Sequence, residues 1–242
     1  MAFFNKAFLL AGFLAIAPLS AFGQSLEEGI KFYQRGNYVT ALEHLEPLAE
    51  QGNGIAQGLV GGMYVDGYGV SKNSQEAVFW FRLSAEQGDA SGQALLGSMY
   101  ESGEGVPQSY PEAFTWYRLA AEQGYSDAQL KVGNMYETGT GVPQNYGEAV
   151  SWYRLAAEQG SSIAQFNLSI MYFQGRGVSR NDVMVYMLVV LAAAQGHETA
   201  REVRDVILET LSREQIEEGQ RFATEWRIGS PLPTFHDFST WP

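Results

Sequence analysis

The dipeptide Gln-Gly recurs at a strict 36-residue interval at residues 51–52, 87–88, 123–124, 159–160 and 195–196. Met-Tyr keeps the same interval at 63–64, 99–100, 135–136 and 171–172. So does Gly-x-Gly-Val, whose glycine pairs are Gly67/Gly69, Gly103/Gly105, Gly139/Gly141 and Gly175/Gly177. Trp80, Trp116 and Trp152 add a fourth column. One period shared by four columns specifies a stack of identical supersecondary units, each burying its apolar face against its neighbours.

Each unit reads as two helices. The first runs from just after Gln-Gly to Met-Tyr, as in Asp89 to about Ser102, with Leu96, Gly97, Met99 and Tyr100 clustered at helical spacing. The Gly-x-Gly that follows ends it, because glycine adopts the left-handed cap conformation without a Cβ penalty. A column of Asn73, Ser109, Asn145 and Asn181 starts the second helix, and Glu76, Glu112 and Glu148 stand three residues later, as in a capping box. The second helix packs through residues such as Ala113, Trp116, Tyr117, Ala120 and Ala121 and closes at Gln-Gly. Gly61, Gly97, Gly133 and Ser169 share a column where a side chain would hold the facing helix away. Ala49, Ala85, Ala121, Ala157 and Ala193 do the same for the second helix, and the tryptophans are expected to fill the space between.

The period gives meaning to the composition. Glycine numbers 27 of 242 residues, above the ~7% usual for proteins, and 16 of them fall in these columns: five in Gln-Gly, eight in Gly-x-Gly and three in the packing column. Hydrophobic residues at 45% with 17% charged argue for a folded chain. Cysteine is absent, which excludes disulfides, thiolate metal sites and a cysteine nucleophile. The net charge of −12 disfavours a nucleic acid partner, which needs basic residues facing the phosphates.

Residues 1–23 read as a secretory signal peptide: Lys6 is the positive start, Ala7 to Pro18 the apolar stretch, and Ala21-Phe22-Gly23 the cleavage signal. The apolar run is too short for a membrane anchor, which takes roughly 20 residues. Export to the periplasm or the medium is therefore expected, and removal of the peptide leaves a charge of −13 (14 basic, 27 acidic).

The alternation of A-E-Q-G, A-Q-x-x-L-G-x-M-Y, G-x-G-V and E-A-x-x-W-Y-R-L-A resembles the Sel1-like repeat family, relatives of the tetratricopeptide repeat. Residues 121–156 carry it closely, from Ala121-Glu122-Gln123-Gly124 through Met135-Tyr136 and Gly139-Thr140-Gly141-Val142 to Trp152-Tyr153-Arg154-Leu155-Ala156. The resemblance implies an all-α, right-handed α-solenoid of antiparallel helix pairs that holds other proteins on its curved surface. Bacterial members are often exported and act in envelope regulation, polymer export or host contact. Some cysteine-rich relatives are linked with β-lactam binding or hydrolysis, but their paired cysteines are missing here.

Four units are expected, at 53–88, 89–124, 125–160 and 161–196, with a capping helix pair at 24–52 before them. The fourth departs from the pattern at Met184, Leu188 and Val190, and its second helix, Val183 to Ala194, is apolar on every side, which implies burial all round. Capping helices at 197–227 are the expected cover, with Ser212-Arg213-Glu214-Gln215 as a capping box. Residues 228–242 read as an extended tail, either packed on the last helix or free to bind a partner.

No chemistry stands out. His44, His197 and His236 lie in different segments, and neither H-E-x-x-H, G-x-S-x-G, a P-loop nor S-x-x-K is present. Glu50, Glu86, Glu122 and Glu158 form a column, whereas a catalytic acid would stand once. No catalytic residue, cofactor or metal is assigned, and a monomeric, non-enzymatic scaffold with a protein partner is expected. The alternative is an envelope hydrolase or cell-wall-binding protein, β-lactamase-like in setting. In such a solenoid the first helices line the concave side, and positions that vary between units are free to meet a partner. Leu59, Gly62 and Asp66 begin such a stripe, followed by Leu95, Ser98 and Ser102, then Lys131, Asn134 and Thr138, then Asn167, Ile170 and Gln174. A second variable column reads Val65, Glu101, Glu137 and Phe173.

Overall fold

A computed structural model describes residues 19–234, and these residues form twelve α-helices and no strand. In chain order they are α1 (Leu19–Gln34), α2 (Tyr38–Glu50), α3 (Gly54–Asp66), α4 (Ser74–Glu86), α5 (Ala90–Ser102) and α6 (Tyr110–Glu122). Then follow α7 (Ser126–Thr138), α8 (Tyr146–Glu158), α9 (Ser162–Gln174), α10 (Asp182–Ala194), α11 (Glu198–Leu208) and α12 (Arg213–Glu225). From α1 to α11 each helix packs on the one before it, so the chain is an α-solenoid of helix hairpins. The expected signal peptide falls outside the described residues up to residue 18, and α1 begins at Leu19.

Local chemistry sets the helix ends. Asn73, Ser109, Asn145 and Asn181 each accept a backbone N–H of the first turn of the following helix. The expected capping box forms only at α12, between Ser212 and Gln215. At Asn73, Ser109 and Asn145 the backbone N–H that a glutamate would reach is already donated, over 2.9 Å, to the carbonyls of Tyr64, Tyr100 and Tyr136. The cap residue thereby ties each second helix to the Met-Tyr end of the first.

The expectation that both glycines of each Gly-x-Gly end the first helix holds for the first glycine and is corrected for the second. Gly67, Gly103, Gly139 and Gly175 are the C-caps of α3, α5, α7 and α9. Gly139, for example, takes the left-handed conformation (φ 76°) and returns its N–H to the Met135 carbonyl. Gly69, Gly105, Gly141 and Gly177 stand two residues beyond the C-cap and cap nothing. Each lies instead against the first residue of the previous unit's second helix: Gly69 on Tyr38, Gly105 on Ser74, Gly141 on Tyr110 and Gly177 on Tyr146. All four are at positive φ, and a Cβ on any of them would collide with the carbonyl group of that residue. One glycine therefore ends a helix and the other seals neighbouring units.

Between helices the small-residue column works as expected, but its filler is the residue after each tryptophan. A Cβ on Gly133 would stand 2.6 Å from the Tyr153 ring, and Gly97 and Gly61 meet Tyr117 and Phe81 in the same way. Phe81, Tyr117 and Tyr153 are buried. Trp80 is buried too, whereas Trp116 and Trp152 are half-buried and lie against the clusters of the preceding units. Trp80 carries a buried indole N–H with no hydrogen-bond partner among the described residues.

A glutamine ladder joins the units. Gln57, Gln93, Gln129 and Gln165 are buried, and each donates to an alanine carbonyl of the preceding second helix: Ala49, Ala85, Ala121 and Ala157. Each in turn accepts, over 2.7–2.8 Å, from the glutamine of the Gln-Gly that closes its own unit. Each of these helix-end carbonyls thus accepts twice, from the glycine N–H of its own Gln-Gly and from the glutamine of the next unit.

At the C-terminal end α11 and α12 both pack on α10, which explains why α10 is buried on all sides. The tail touches the end of the last helix, where the Ser230 carbonyl accepts the Trp226 indole N–H over 3.0 Å, but runs on beyond it. Its described part folds back across the stack to α8, where Leu232 is buried in the core. Residues 235–242 and the histidine among them, His236, lie outside the described residues.

Candidate partner-binding face

The odd-numbered helices α3, α5, α7 and α9 carry the variable positions, and they lie close enough for their side chains to join. Lys131 Nζ on α7 donates to Glu101 Oε2 on α5 over 2.8 Å, and Asn167 Nδ2 on α9 donates to Asn134 Oδ1 on α7 over 3.2 Å. The stripe is therefore a continuous surface across units.

Two tyrosines from the even-numbered helices reach this surface from behind. The Tyr117 hydroxyl donates to Glu101 Oε2 over 2.7 Å. That of Tyr153 sits 2.5 Å from Glu137 Oε2 and 2.6 Å from Asn134 Oδ1. Burial, reinforced by the neighbouring carboxylate, holds both phenols well above the ordinary tyrosine range. Glu101 and Glu137 are thus fixed in place by internal bonds, which gives the middle of the face a pre-set polar pattern.

The sequence carries a signal for this pairing that column reading missed. Glu101 and Glu137 stand 16 residues before Tyr117 and Tyr153, while the outer units place Val65 before Phe81 and Phe173 before Val189. Polar faces polar in the middle, and apolar accompanies apolar at both ends.

Exposure varies along the face. Leu95 is exposed at 36%, and Phe173 at 53%, beneath the Arg180 guanidinium 5.1 Å from its ring centre. Ser98 is exposed, and Lys131, Asn134, Glu101, Glu137, Asn167 and Ile170 are half-buried. Large apolar side chains left open on a surface whose other columns are spent on packing offer the usual anchors of protein recognition. Tyr117 supplies a ring 5.8 Å from Lys131 Nζ, so the one cation of the stripe is braced from two sides.

The two histidines among the described residues have structural partners. His44 stacks on Phe32, and His197 caps α11 by accepting the Ala200 N–H at Nδ1 over 3.2 Å. Among the described residues no group of three or more His, Asp or Glu side chains is placed to hold a metal ion. No helix among them is long and apolar enough to cross a membrane.

The Sel1 repeat family model matches residues 21–53, 54–89, 90–125, 126–161 and 162–197, so the helix pair read as an N-terminal cap counts as a further repeat. The chain is similar to a solved protective antigen of uropathogenic Escherichia coli strains that displays an SLR fold, at 33% identity and a TM-score of 0.75. That match covers 85% of this chain but 46% of the antigen, so this chain spans under half the antigen's length. A Sel1 repeat protein from Oxalobacter formigenes is also 33% identical, with a TM-score of 0.71 over 81% of this chain and 84% of that one. A putative sel1 repeat protein from Klebsiella pneumoniae shares the fold at 19% identity and a TM-score of 0.51, over 77% and 92% of the two chains. No curated protein matches the chain.

Proposed function

The chain belongs to the Sel1 repeat family, whose members are generally protein-interaction scaffolds, and we propose that it acts without catalysis, holding a protein partner on the α3–α5–α7–α9 face. One observation carries this reading: on that face the side chains change from unit to unit, while the glutamine, alanine, Met-Tyr and Gly-x-Gly columns repeat in all four. The polar middle of Glu101, Lys131, Asn134, Glu137 and Asn167 would set register, and Leu95, Ile170 and Phe173 would supply apolar anchors. Electrostatic pattern sets specificity and encounter rate more than affinity, and burial of the anchors provides the holding energy.

The setting proposed is outside the cytoplasm, in the bacterial envelope or the medium, where a regulatory role fits a scaffold with no chemistry of its own. Residues 1–23 support it by their signal-peptide pattern. The description of a 33% identical relative as a protective antigen is in keeping with it. Fractionation of cells expressing the full chain tests the setting: mature protein outside the cytoplasm is expected, and full-length protein in the cytoplasm would refute it.

A photo-cross-linker placed at Ser98 in the producing cell tests the partner surface. It should trap one defined protein, while the same group at Glu43, exposed on α2, should not. Turnover of a chromogenic β-lactam or of peptidoglycan by the mature protein would instead establish a hydrolase.

A further inference from the structure

The tail shows how the even-numbered side of the stack can hold an extended chain. At α8 the Gly229 N–H donates to the Glu158 carbonyl over 2.7 Å, and the Leu232 N–H donates to Glu158 Oε1 over 2.8 Å. Arg154 Nη1 donates back to the Leu232 carbonyl over 3.1 Å, while its Nη2 donates to the Tyr172 hydroxyl over 2.6 Å. Ile228 lies over Gly160, where a Cβ would meet it at 3.0 Å. The Arg–Glu pair thus reads a peptide backbone from both of its hydrogen-bonding sides, and the buried Leu232 adds an apolar anchor.

One unit earlier the same residues stand without a tail segment on them. Arg154, Glu158, Gly160, Tyr172 and the half-buried Leu191 correspond, 36 residues back, to Arg118, Glu122, Gly124, Tyr136 and Leu155, identical at all five places. The Arg–Glu separation is the same, 3.8 Å, in both pairs. Yet the side chains of Arg118 and Glu122 are 48% and 51% exposed, against 26% and 21% for Arg154 and Glu158. A Cβ on Gly124 would meet nothing within 4 Å, and Leu155 is 43% exposed. These columns carry no tail here, although the Arg–Glu clamp and its neighbouring leucine and tyrosine are present; the Trp226 indole that also holds the tail, at Ser230, has no counterpart.

We propose that Arg118, Glu122, Gly124, Tyr136 and Leu155 form a second docking site, whose occupant is an extended segment of a partner protein with a leucine flanked by prolines, like Ser230-Pro231-Leu232-Pro233. Glu122 accepts a backbone N–H of that segment, Arg118 donates to its carbonyls, and the leucine rests against Leu155 and Tyr136. Proline on either side keeps the segment extended and leaves its carbonyls free to accept. This site is built on α6 and α8 with Tyr136 added from the end of α7, apart from the residues assigned to the main partner.

The test uses the full chain and a labelled synthetic peptide with the sequence of residues 227–234, followed by fluorescence anisotropy. Saturable binding is expected, reduced by about tenfold or more in the double variant Arg118→Ala/Glu122→Ala, as for loss of a charged backbone clamp. A peptide with aspartate in place of the leucine should fail to bind. Arg154→Ala serves as the control, since that clamp is filled by the chain's own tail. The proposal is overturned if no saturable binding is seen, if binding survives in the double variant, or if only Arg154→Ala abolishes it, which would mean exchange with the tail. Unchanged circular dichroism and melting temperature of these surface variants keep each outcome interpretable.

Discussion

At position 125 the chain departs from its own capping rule. The residues that start the odd-numbered helices from α3 onward are Asn53, Asp89, Tyr125, Ser161 and His197, and only Tyr125 makes no side-chain cap. Its backbone (φ −69°, ψ 108°) matches that of Asp89 (φ −68°, ψ 120°), whose carboxylate accepts the Gly92 N–H at 2.7 Å. Tyr125→Asp should therefore cap α7 and raise stability by about 1 kcal/mol in urea denaturation. The paired glycines give a second test. Gly139→Ala forces a left-handed alanine and should cost about 1–2 kcal/mol, whereas Gly141→Ala adds a collision with the Tyr110 carbonyl and should cost clearly more. Equal losses would show that the second glycine seals nothing. Both glycines are visible in the sequence; their division of labour is not, because the backbone that meets Gly141 is 31 residues away, and the same holds for Gly69, Gly105 and Gly177.

Tyr117 and Tyr153 make a pH-dependent prediction at the same scale. Their folded-state pKa values lie above the unfolded value, so their contribution is fully present below about pH 10, the ordinary tyrosine range, and is lost as pH rises further. In an alkaline titration followed by phenolate absorbance, part of the tyrosine signal should appear only with unfolding. That delayed part should vanish in Tyr117→Phe/Tyr153→Phe. A titration in which every tyrosine ionises before the helical signal falls would contradict the buried Glu–Tyr pairs.

Elements owe their places to residues that the repeat columns identify unevenly. The tryptophans are the most conspicuous apolar column, yet the residue that meets the glycine of the facing helix is its successor, since Tyr117 is 2% exposed and Trp116 is half-buried. Tyr117→Ala should cost about 3–5 kcal/mol, as for a buried aromatic, and Trp116→Ala should cost less. The reverse order in thermal or urea unfolding would return the core position to the tryptophan. Helix existence and order were legible from the 36-residue period, because glycine ends and polar caps are local signals. Two features were not. The reciprocal half of the capping box fails because Tyr64, Tyr100 and Tyr136 claim the N–H first. The tail reaches α8 through hydrogen bonds 71 to 79 residues apart, which no local pattern records. The apolar α10 announced that something would cover it, without saying that α11 and α12 would do so together.

Across the whole molecule the repeat solves two problems with one set of columns. Glutamines carry hydrogen bonds from unit to unit, glycines let units approach, and alanines keep the second helices close, so the stack is held without any disulfide. What remains unconstrained is the outward side of α3, α5, α7 and α9, and there the side chains diverge. The candidate face was legible as variation against a fixed background. Its internal Glu–Tyr pairing was not, because it joins a variable column to a packing one. The central claim is that this face binds the partner. Its most direct test is the affinity of the cross-linked partner, once purified, for three folded proteins: the parent chain, Leu95→Glu/Phe173→Ser on the face, and Glu43→Lys on α2. The account predicts a loss of about tenfold or more for the face variant and none for Glu43→Lys; equal affinities for all three would contradict it.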